Sequence, residues 1–288
     1  MSDRIVVVGD VMTDVVASLS GPVAHGSDTP ARIVLRGGGA GANIAAWLAR
    51  AGADVTLIGR VGDDAAGRLA AAGLDAEGVD ARLTIDPARP TGTCVVLVEP
   101  GGERSMLPDT GANAGLEAVA LPRDAAHLHV AGYALLDPGS RPGARALLAA
   151  ARARGVSVSV DPSSAAPLRR AGATAFLEWA GDADLLVPNR DEAEALTGID
   201  DPARAARALC AHAREVVVKL GSGGALWTDG ESDVRVAALG VSVTDTTGAG
   251  DAFAAGLLAA RLAGAAPAEA LRAGCALAAD AVGREGGR

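Results

Sequence analysis

The run Asp245-Thr-Thr-Gly-Ala-Gly-Asp-Ala-Phe253 places two glycines and a carboxylate where a loop turns into a helix. Small, apolar residues from Ala254 to Ala265 continue it as a packed helix, so Gly248, Ala249 and Gly250 present free backbone N–H groups at the helix N-terminus. That end carries roughly half a positive charge, and glycine lets a ligand approach the backbone without a Cβ in the way. The run reads as an anion site. Asp251 in the same turn repels an anion, so it has two uses: to take a proton from an attacking hydroxyl or to cap the helix.

Other stretches carry chemistry beside an ordinary structural reading. Arg36-Gly-Gly-Gly-Ala-Gly-Ala-Asn-Ile-Ala45 is a second glycine-rich helix entry. It contains G-x-G-x-x-A, but no strand feeds it in a tight turn, so the dinucleotide fingerprint is only weakly met. Its alternatives are close backbone approach to a polar substrate, with the Asn43 amide reaching hydroxyls, or glycine-assisted packing with an Asn cap. Gly9-Asp-Val-Met-Thr-Asp14 ends the first strand in two carboxylates four residues apart. Ligands of an open parallel sheet sit outside the carboxyl ends of its strands, where carboxylates can accept hydrogen bonds from a sugar's vicinal hydroxyls; a turn residue is the plainer use. Pro188-Asn-Arg-Asp-Glu-Ala-Glu194 opens a helix on which Asn189 and Glu192 share one face. They suit either a hydrated Mg²⁺ near phosphates or a capping box. Val216-Val-Val-Lys-Leu-Gly-Ser-Gly-Gly-Ala225 is a buried strand entering a glycine turn, with room for a nucleotide beside Lys219 or for a plain hairpin turn. His127 and His129 share a strand face but lack a third ligand for a metal.

Bulk properties narrow the class. The chain has 288 residues, 49% of them hydrophobic, and a formal net charge of −9. That balance argues against nucleic acid or an acidic membrane as partner and favours small-molecule chemistry. Cys94, Cys210 and Cys275 are scattered, which reads as reduced thiols and neither a disulfide frame nor a zinc site. Ile5 to Val8 is too short an apolar stretch for a signal or a membrane span, so a cytoplasmic location is expected. Of 26 basic side chains only Lys219 is a lysine, and Leu220 follows it, which excludes the Walker A loop of the P-loop NTPases.

These residues need elements to hold them. Short apolar strands alternating with Ala/Leu/Arg-rich segments predict an α/β fold with a mostly parallel sheet covered on both faces. Core strands are expected at 4–9, 54–59, 127–131, 156–160, 184–187 and 215–220. Helices are expected at 41–51, 64–73, 141–154, 190–197, 202–213, 250–263 and 267–283. Residues 11–36 and 81–108 break the alternation with short strands, including a hairpin of 93–99 with 103–107 about Pro100-Gly-Gly102. They are expected to form a small β-sheet lid, or an extension of the main sheet's edge, within one domain spanning 1–288.

Taken together, the motifs resemble the PfkB/ribokinase family of carbohydrate and nucleoside kinases. Gly38-Gly-Ala-Gly-Ala-Asn43 with Ala51-Gly-Ala53 and Gly59-Arg-Val-Gly-Asp-Asp64 is similar to its N-terminal signature, Asp245 to Asp251 to its C-terminal one, and Asn189-x-x-Glu192 to its Mg-phosphate motif. The resemblance implies a ribokinase-like three-layer α/β/α sandwich with a lid, and transfer of the γ-phosphoryl of ATP to a primary hydroxyl. By that analogy Asp251 is the base and Gly248, Ala249 and Gly250 form the anion hole. Asn189 and Glu192 organise Mg²⁺ through water. Lys219, Gly221 and Gly224, with Asn189, Gly248 and Gly250, bind ATP; Asp14, Gly39 and Asn43 bind the sugar. Asp245 and Thr247 match positions that in many members help hold a monovalent cation such as K⁺, and the lid strands often pair between subunits, implying a homodimer. Ala281-Val-Gly-Arg-Glu-Gly286 resembles the end of the cation loop.

Two positions depart from ribokinases proper: Ala40 stands where they carry lysine and Met12 where they carry asparagine. Aromatic residues are few, and stacking a base against one contributes about 0.5–1.5 kcal/mol beyond burial. A free sugar is therefore expected over a nucleoside, although Met12 and Met106 could line an apolar base slot. A sugar- or nucleotide-binding regulator without catalysis is the reading from another class, and the presence of Asp251 counts against it.

Overall fold

A computed structural model describes residues 4–284 and 286–288; Glu285, in the stretch likened to a cation loop, lies outside them. The first half of the chain runs β1 (Arg4–Val8), β2 (Met12–Leu19), β3 (Ala31–Gly38), α1 (Ala40–Arg50), β4 (Val55–Gly62), α2 (Ala65–Ala76), β5 (Asp80–Asp86), β6 (Gly92–Val98), β7 (Arg104–Asp109), β8 (Ala125–Ala131), α3 (Tyr133–Leu136) and α4 (Arg141–Ala153). The second half adds β9 (Ser157–Asp161), α5 (Ala165–Ala171), α6 (Ala173–Ala180), β10 (Ala183–Leu186), α7 (Arg190–Thr197), α8 (Pro202–Leu209), β11 (Ala213–Lys219), β12 (Ala225–Thr228), β13 (Asp233–Val236), α9 (Ala249–Leu262) and α10 (Pro267–Val282).

A nine-stranded sheet has the order β13-β12-β11-β10-β9-β8-β1-β4-β5, parallel from β11 to β5, with β12 and β13 added antiparallel at one edge. Its central strands are buried on both faces: β1 is apolar from Ile5 to Val8, and the polar side chains of β8 and β9 pair with one another. Ile5 and Val7 pack with α1, α2, α9 and α10, while Val6 and Val8 pack with the layer that includes α4, α6, α7 and α8. Each fully buried aliphatic side chain contributes about 1.5–3 kcal/mol, so alternate residues of one strand hold two separate helix layers to the sheet.

The chain builds β1, β4 and β5 outward on one side, then crosses to β8 and builds the other side. The strand order reverses between β1 and β8, and a crevice opens outside the carboxyl ends of the strands at such a switch point. Gly9 and Asp10 follow β1 there, and Tyr133 follows β8. A four-stranded sheet, β3-β2-β6-β7, forms the opposite wall. Met12, Asp14, Cys94, Arg104 and Met106 on its strands line the crevice.

The core strands and the principal helices fall where the periodicity places them. Region 81–108, expected as lid strands or as an extension of the main sheet's edge, divides between the two. Its first part is β5, which pairs with β4 from Thr56↔Asp80 to Gly62↔Asp86 and so belongs to the main sheet; only β6 and β7 join the small one. An edge strand with one face half open shows the same apolar alternation as a lid strand, so pattern alone did not separate them. The short helices α5 and α6 and the antiparallel pair β12–β13 also lay outside the expected elements. Among the described residues, no helix is long and apolar enough to cross a membrane.

Candidate active site

The crevice has a volume of about 1270 Å³. A site for one small ligand occupies roughly 300–1,000 Å³, so two substrates fit side by side.

Asp251 sits in the first turn of α9, behind an N-cap Gly248 with φ of 73° and no side-chain cap. Gly248 must be glycine for a second reason: a Cβ there would lie 2.3 Å from the Gly287 carbonyl oxygen. A Cβ on Gly250 would meet only Lys219 Nζ at 3.6 Å, so that backbone faces open crevice. The N–H of Ala249 lies 3.3 Å from the Thr246 carbonyl, a long bond that an incoming anion would compete for. Asp251 Oδ2 accepts a hydrogen bond from Asn43 Nδ2 at 2.9 Å, which joins the two glycine-rich helix entries across 208 residues of sequence. Burial pushes the Asp251 carboxyl up to about 8; Asp161 and Asp10 add to this, while the Asn43 bond and Lys219 oppose it. A carboxyl so poised takes up a proton near neutral pH, as a general base must.

Asn43, 5% exposed, leaves its Oδ1 buried without a partner, an acceptor that a substrate hydroxyl can satisfy. Asp14 is buried on β2, and burial together with Asp10 raises its carboxyl to about 6. The glycine that makes room for it is Gly38, where a Cβ would lie 2.3 Å from Asp14 Oδ1; Gly39, with φ of 93°, instead permits close passage of the Asp10 carbonyl, 2.5 Å from its would-be Cβ. Gly39 also lines the crevice beside Asp14 and Asn43.

Asn189 and Glu192 form a complete capping box at the start of α7. Asn189 N donates to Glu192 Oε2 at 2.8 Å, Asn189 Nδ2 to Oε1 at 2.7 Å, and Glu192 N to Asn189 Oδ1 at 2.9 Å. Both still line the crevice, so the capping and phosphate-side readings coexist. Burial raises Glu192 to about 7. Among the described residues, no cluster of three or more acidic, His or Cys side chains is arranged to hold a metal ion; a divalent cation would have to arrive with the nucleotide's own oxygens as ligands.

Lys219 ends β11 and donates to Asp161 Oδ2 at 2.5 Å. Burial alone would lower its pKa, but Asp161 and Glu192 outweigh burial and keep the ammonium charged. Gly221 has φ of 57° with nothing near its would-be Cβ, leaving a bare backbone turn on the crevice, whereas a Cβ on Gly224 would strike the Val236 carbonyl at 1.9 Å. Gly221 therefore offers approach to a ligand and Gly224 shapes the turn into β12. Across from them Leu239, Val241 and Val243, 55%, 46% and 63% exposed, line the crevice with aliphatic surface.

Four residues join the site that motif reading did not assign. Asp10 accepts from Ala40 N at 3.2 Å and Gly41 N at 3.3 Å, occupying the N-terminus of α1. Asp161 holds Lys219. Tyr133 lines the crevice at the switch point, its hydroxyl raised to about 12 by burial and by Asp10. Arg104 reaches from β7 so that its Nη1 contacts both Asp245 Oδ1 and Thr247 Oγ1, the two positions expected at a monovalent cation. Only Asp10 carried a signal in the sequence, as one of the two carboxylates closing β1. His127 and His129 have no part here: they are buried against Ser157 and Ser159, and burial lowers them to about 3 and 4.

Comparison with known proteins identifies the family and the fold. Residues 2–288 match the family described as pfkB family carbohydrate kinase. The fructokinase of Klebsiella pneumoniae is 34% identical over 276 residues, covering 90% of this chain and 84% of its own. Adenosine kinase from Sinorhizobium meliloti superposes with a TM-score of 0.89 at 26% identity, over 100% of this chain and 95% of that one. A fructokinase double mutant from Vibrio cholerae O395, in its fructose-, ADP- and potassium-bound form, superposes with a TM-score of 0.82 at 27% identity, over 100% and 94%. The fold is the ribokinase-like three-layer sandwich, and the chain belongs to the pfkB family of carbohydrate kinases, phosphotransferases that act on a hydroxyl group.

Proposed function

We propose that the protein transfers the γ-phosphoryl of ATP to a primary hydroxyl of a small sugar, with Asp251 as general base. The contact that carries this reading is Asn43 Nδ2 to Asp251 Oδ2, 2.9 Å, because it brings the hydroxyl-binding helix entry against the anion-binding one. An acceptor held by Asp14 and by the unpaired Asn43 Oδ1 would present its hydroxyl to Asp251. The hydroxyl proton passes to Asp251 as the new P–O bond forms and the bond to ADP breaks. Backbone N–H groups of Gly248, Ala249 and Gly250 face the charge on the transferring phosphoryl, where preorganised donors contribute most. ATP would lie along Gly221 and the Leu239 to Val243 loop, with Lys219 and Asn189 on its phosphate side. Mg²⁺ bound with the nucleotide would offset developing charge, held through water by Asn189 and Glu192.

A nucleoside acceptor is the second reading, and the position of Tyr133 favours it. The crevice that Met12 and Met106 line also holds the ring of Tyr133, so the scarcity of aromatic residues in the composition does not exclude a base. The similarity to the S. meliloti adenosine kinase adds support. A homodimer through the outer face of the small sheet is also part of this proposal: Ile33 and Leu35 on edge strand β3 and Leu107 on the opposite edge strand β7, 63%, 64% and 55% exposed, point away from the crevice.

Phosphorylation assays with ATP and Mg²⁺ across fructose, ribose, adenosine and pseudouridine test the assignment. Because Ala40 and Met12 withdraw two polar contacts, ribose should be a poor acceptor. Asp14→Ala should lower acceptor kcat/KM by roughly 5- to 150-fold through an unpaired polar group, with ATP affinity little changed. Best activity on ribose, or sugar kinetics unaltered in Asp14→Ala, would overturn the acceptor assignment while leaving the kinase reading intact.

A further inference from the structure

Arg104 stands on the crevice side of the small sheet, in register with Val98 of β6. Its guanidinium leaves that sheet and reaches the loop before α9, where Nη1 contacts Asp245 Oδ1 and Thr247 Oγ1. The rest of the Asp245 carboxylate is also engaged: Oδ1 accepts from Thr247 N at 2.6 Å and Oδ2 from Gly286 N at 2.9 Å. The main chain anchors the same loop to the end of α10, with Thr244 N donating to the Val282 carbonyl at 2.7 Å. The two side chains that the family resemblance places at a monovalent cation therefore already hold a cationic side chain of the protein itself. The planar fork of a guanidinium suits a carboxylate beside a hydroxyl.

We propose that Arg104 replaces a bound monovalent cation at Asp245 and Thr247, and that it ties the small sheet to the turn from which Gly248 and Gly250 face the phosphoryl group. It is a positioning residue, acting through the loop and not on the reacting atoms. The consequence is an enzyme indifferent to K⁺, unlike what the potassium-bound fructokinase structure would suggest for a relative of the same fold. The catalytic half of this statement rests on the kinase reading above; the cation half does not.

The experiment compares wild type, Arg104→Met and Arg104→Lys in KCl, NaCl and choline chloride at equal ionic strength. Thermal midpoints are read without substrate and kcat/KM with the best acceptor. Wild type and Arg104→Lys should show the same midpoint and activity in all three salts. Arg104→Met, with an emptied acceptor set, should lose about 10- to 100-fold in kcat/KM in choline, the worth of a charge-assisted hydrogen bond, and recover most of it in K⁺. Its midpoint should rise in K⁺ relative to choline. Severalfold activation of wild type by K⁺ would overturn the proposal. So would an Arg104→Met protein whose midpoint and activity ignore the salt, which would place Arg104 on the nucleotide or in no role. If no acceptor is phosphorylated, the midpoints still decide the cation claim, and the failure then belongs to the kinase reading alone.

Discussion

Two helices enter the crevice with the same kind of sequence, and they finish differently. Both α1 and α9 begin after a glycine of positive φ, Gly39 at 93° and Gly248 at 73°, neither of which supplies a side-chain cap. At α1 the protein fills the vacancy itself: Asp10 folds back from β1 and accepts from Ala40 N and Gly41 N. At α9, among the described residues, no side chain caps the helix: Asp245 stops one residue short, accepting from Thr247 N, and Asp251 turns to Asn43 instead. The same electrostatic feature thus serves folding at one helix, and at the other it lacks a side-chain cap, as the proposed anion site requires. A glycine-rich helix entry becomes an anion site only when the chain withholds its own anion.

Substitutions can break that comparison. The largest expected effect is at Asp251. Asp251→Asn should lower kcat by roughly 10²- to 10⁴-fold with ATP and acceptor affinity nearly intact, measured by steady-state kinetics and calorimetry. A loss below about tenfold would reduce Asp251 to a structural role. The sign of its stability effect follows from the raised carboxyl. The folded state holds the proton up to about 8 while the unfolded chain releases it near 3.8, so burying Asp251 costs stability progressively as pH rises through that window. Asp251→Asn should therefore melt higher than wild type at pH 8, and the gap should narrow toward pH 4.

Next come matched glycines. Gly250→Val should cost on the order of 10² in turnover, the scale of a lost anion-hole contact, with an almost unchanged melting midpoint because only Lys219 Nζ is near its side chain. Gly41→Ala reverses the readouts: its Cβ would lie 2.5 Å from Gly9 Cα, so it should lose about 1–3 kcal/mol of stability by overpacking. If Gly250→Val unfolds the protein while Gly41→Ala merely slows it, the two helix ends have been assigned the wrong way round. The smallest effect belongs to the cap. Asp10→Ala should lose about 1 kcal/mol in denaturant unfolding, an ordinary N-cap value.

The helix entries, the parallel sheet and the place of Asp251 in the first turn of α9 were legible because local periodicity and glycine spacing determine them. The partners that complete the site were not. Arg104 meets Asp245 across 141 residues and Lys219 meets Asp161 across 58, contacts that no local pattern encodes and that only the sheet order brings together. Tyr133 was passed over because a lone tyrosine after a strand has no spacing to read, although the switch point between β1 and β8 places it on the crevice. The placement of β5 stayed open between lid and main-sheet edge because a half-exposed edge strand and a lid strand share one alternation.

The central claim, that Asp251 accepts the proton at an open helix end, is tested most directly by the pH dependence of kcat/KM for wild type and Asp251→Asn. With the carboxyl raised to about 8, wild-type kcat/KM should climb about tenfold per pH unit below that value and level off above it. The residual activity of Asp251→Asn should lack that limb. A flat wild-type profile, or a limb that survives in Asp251→Asn, would contradict the account.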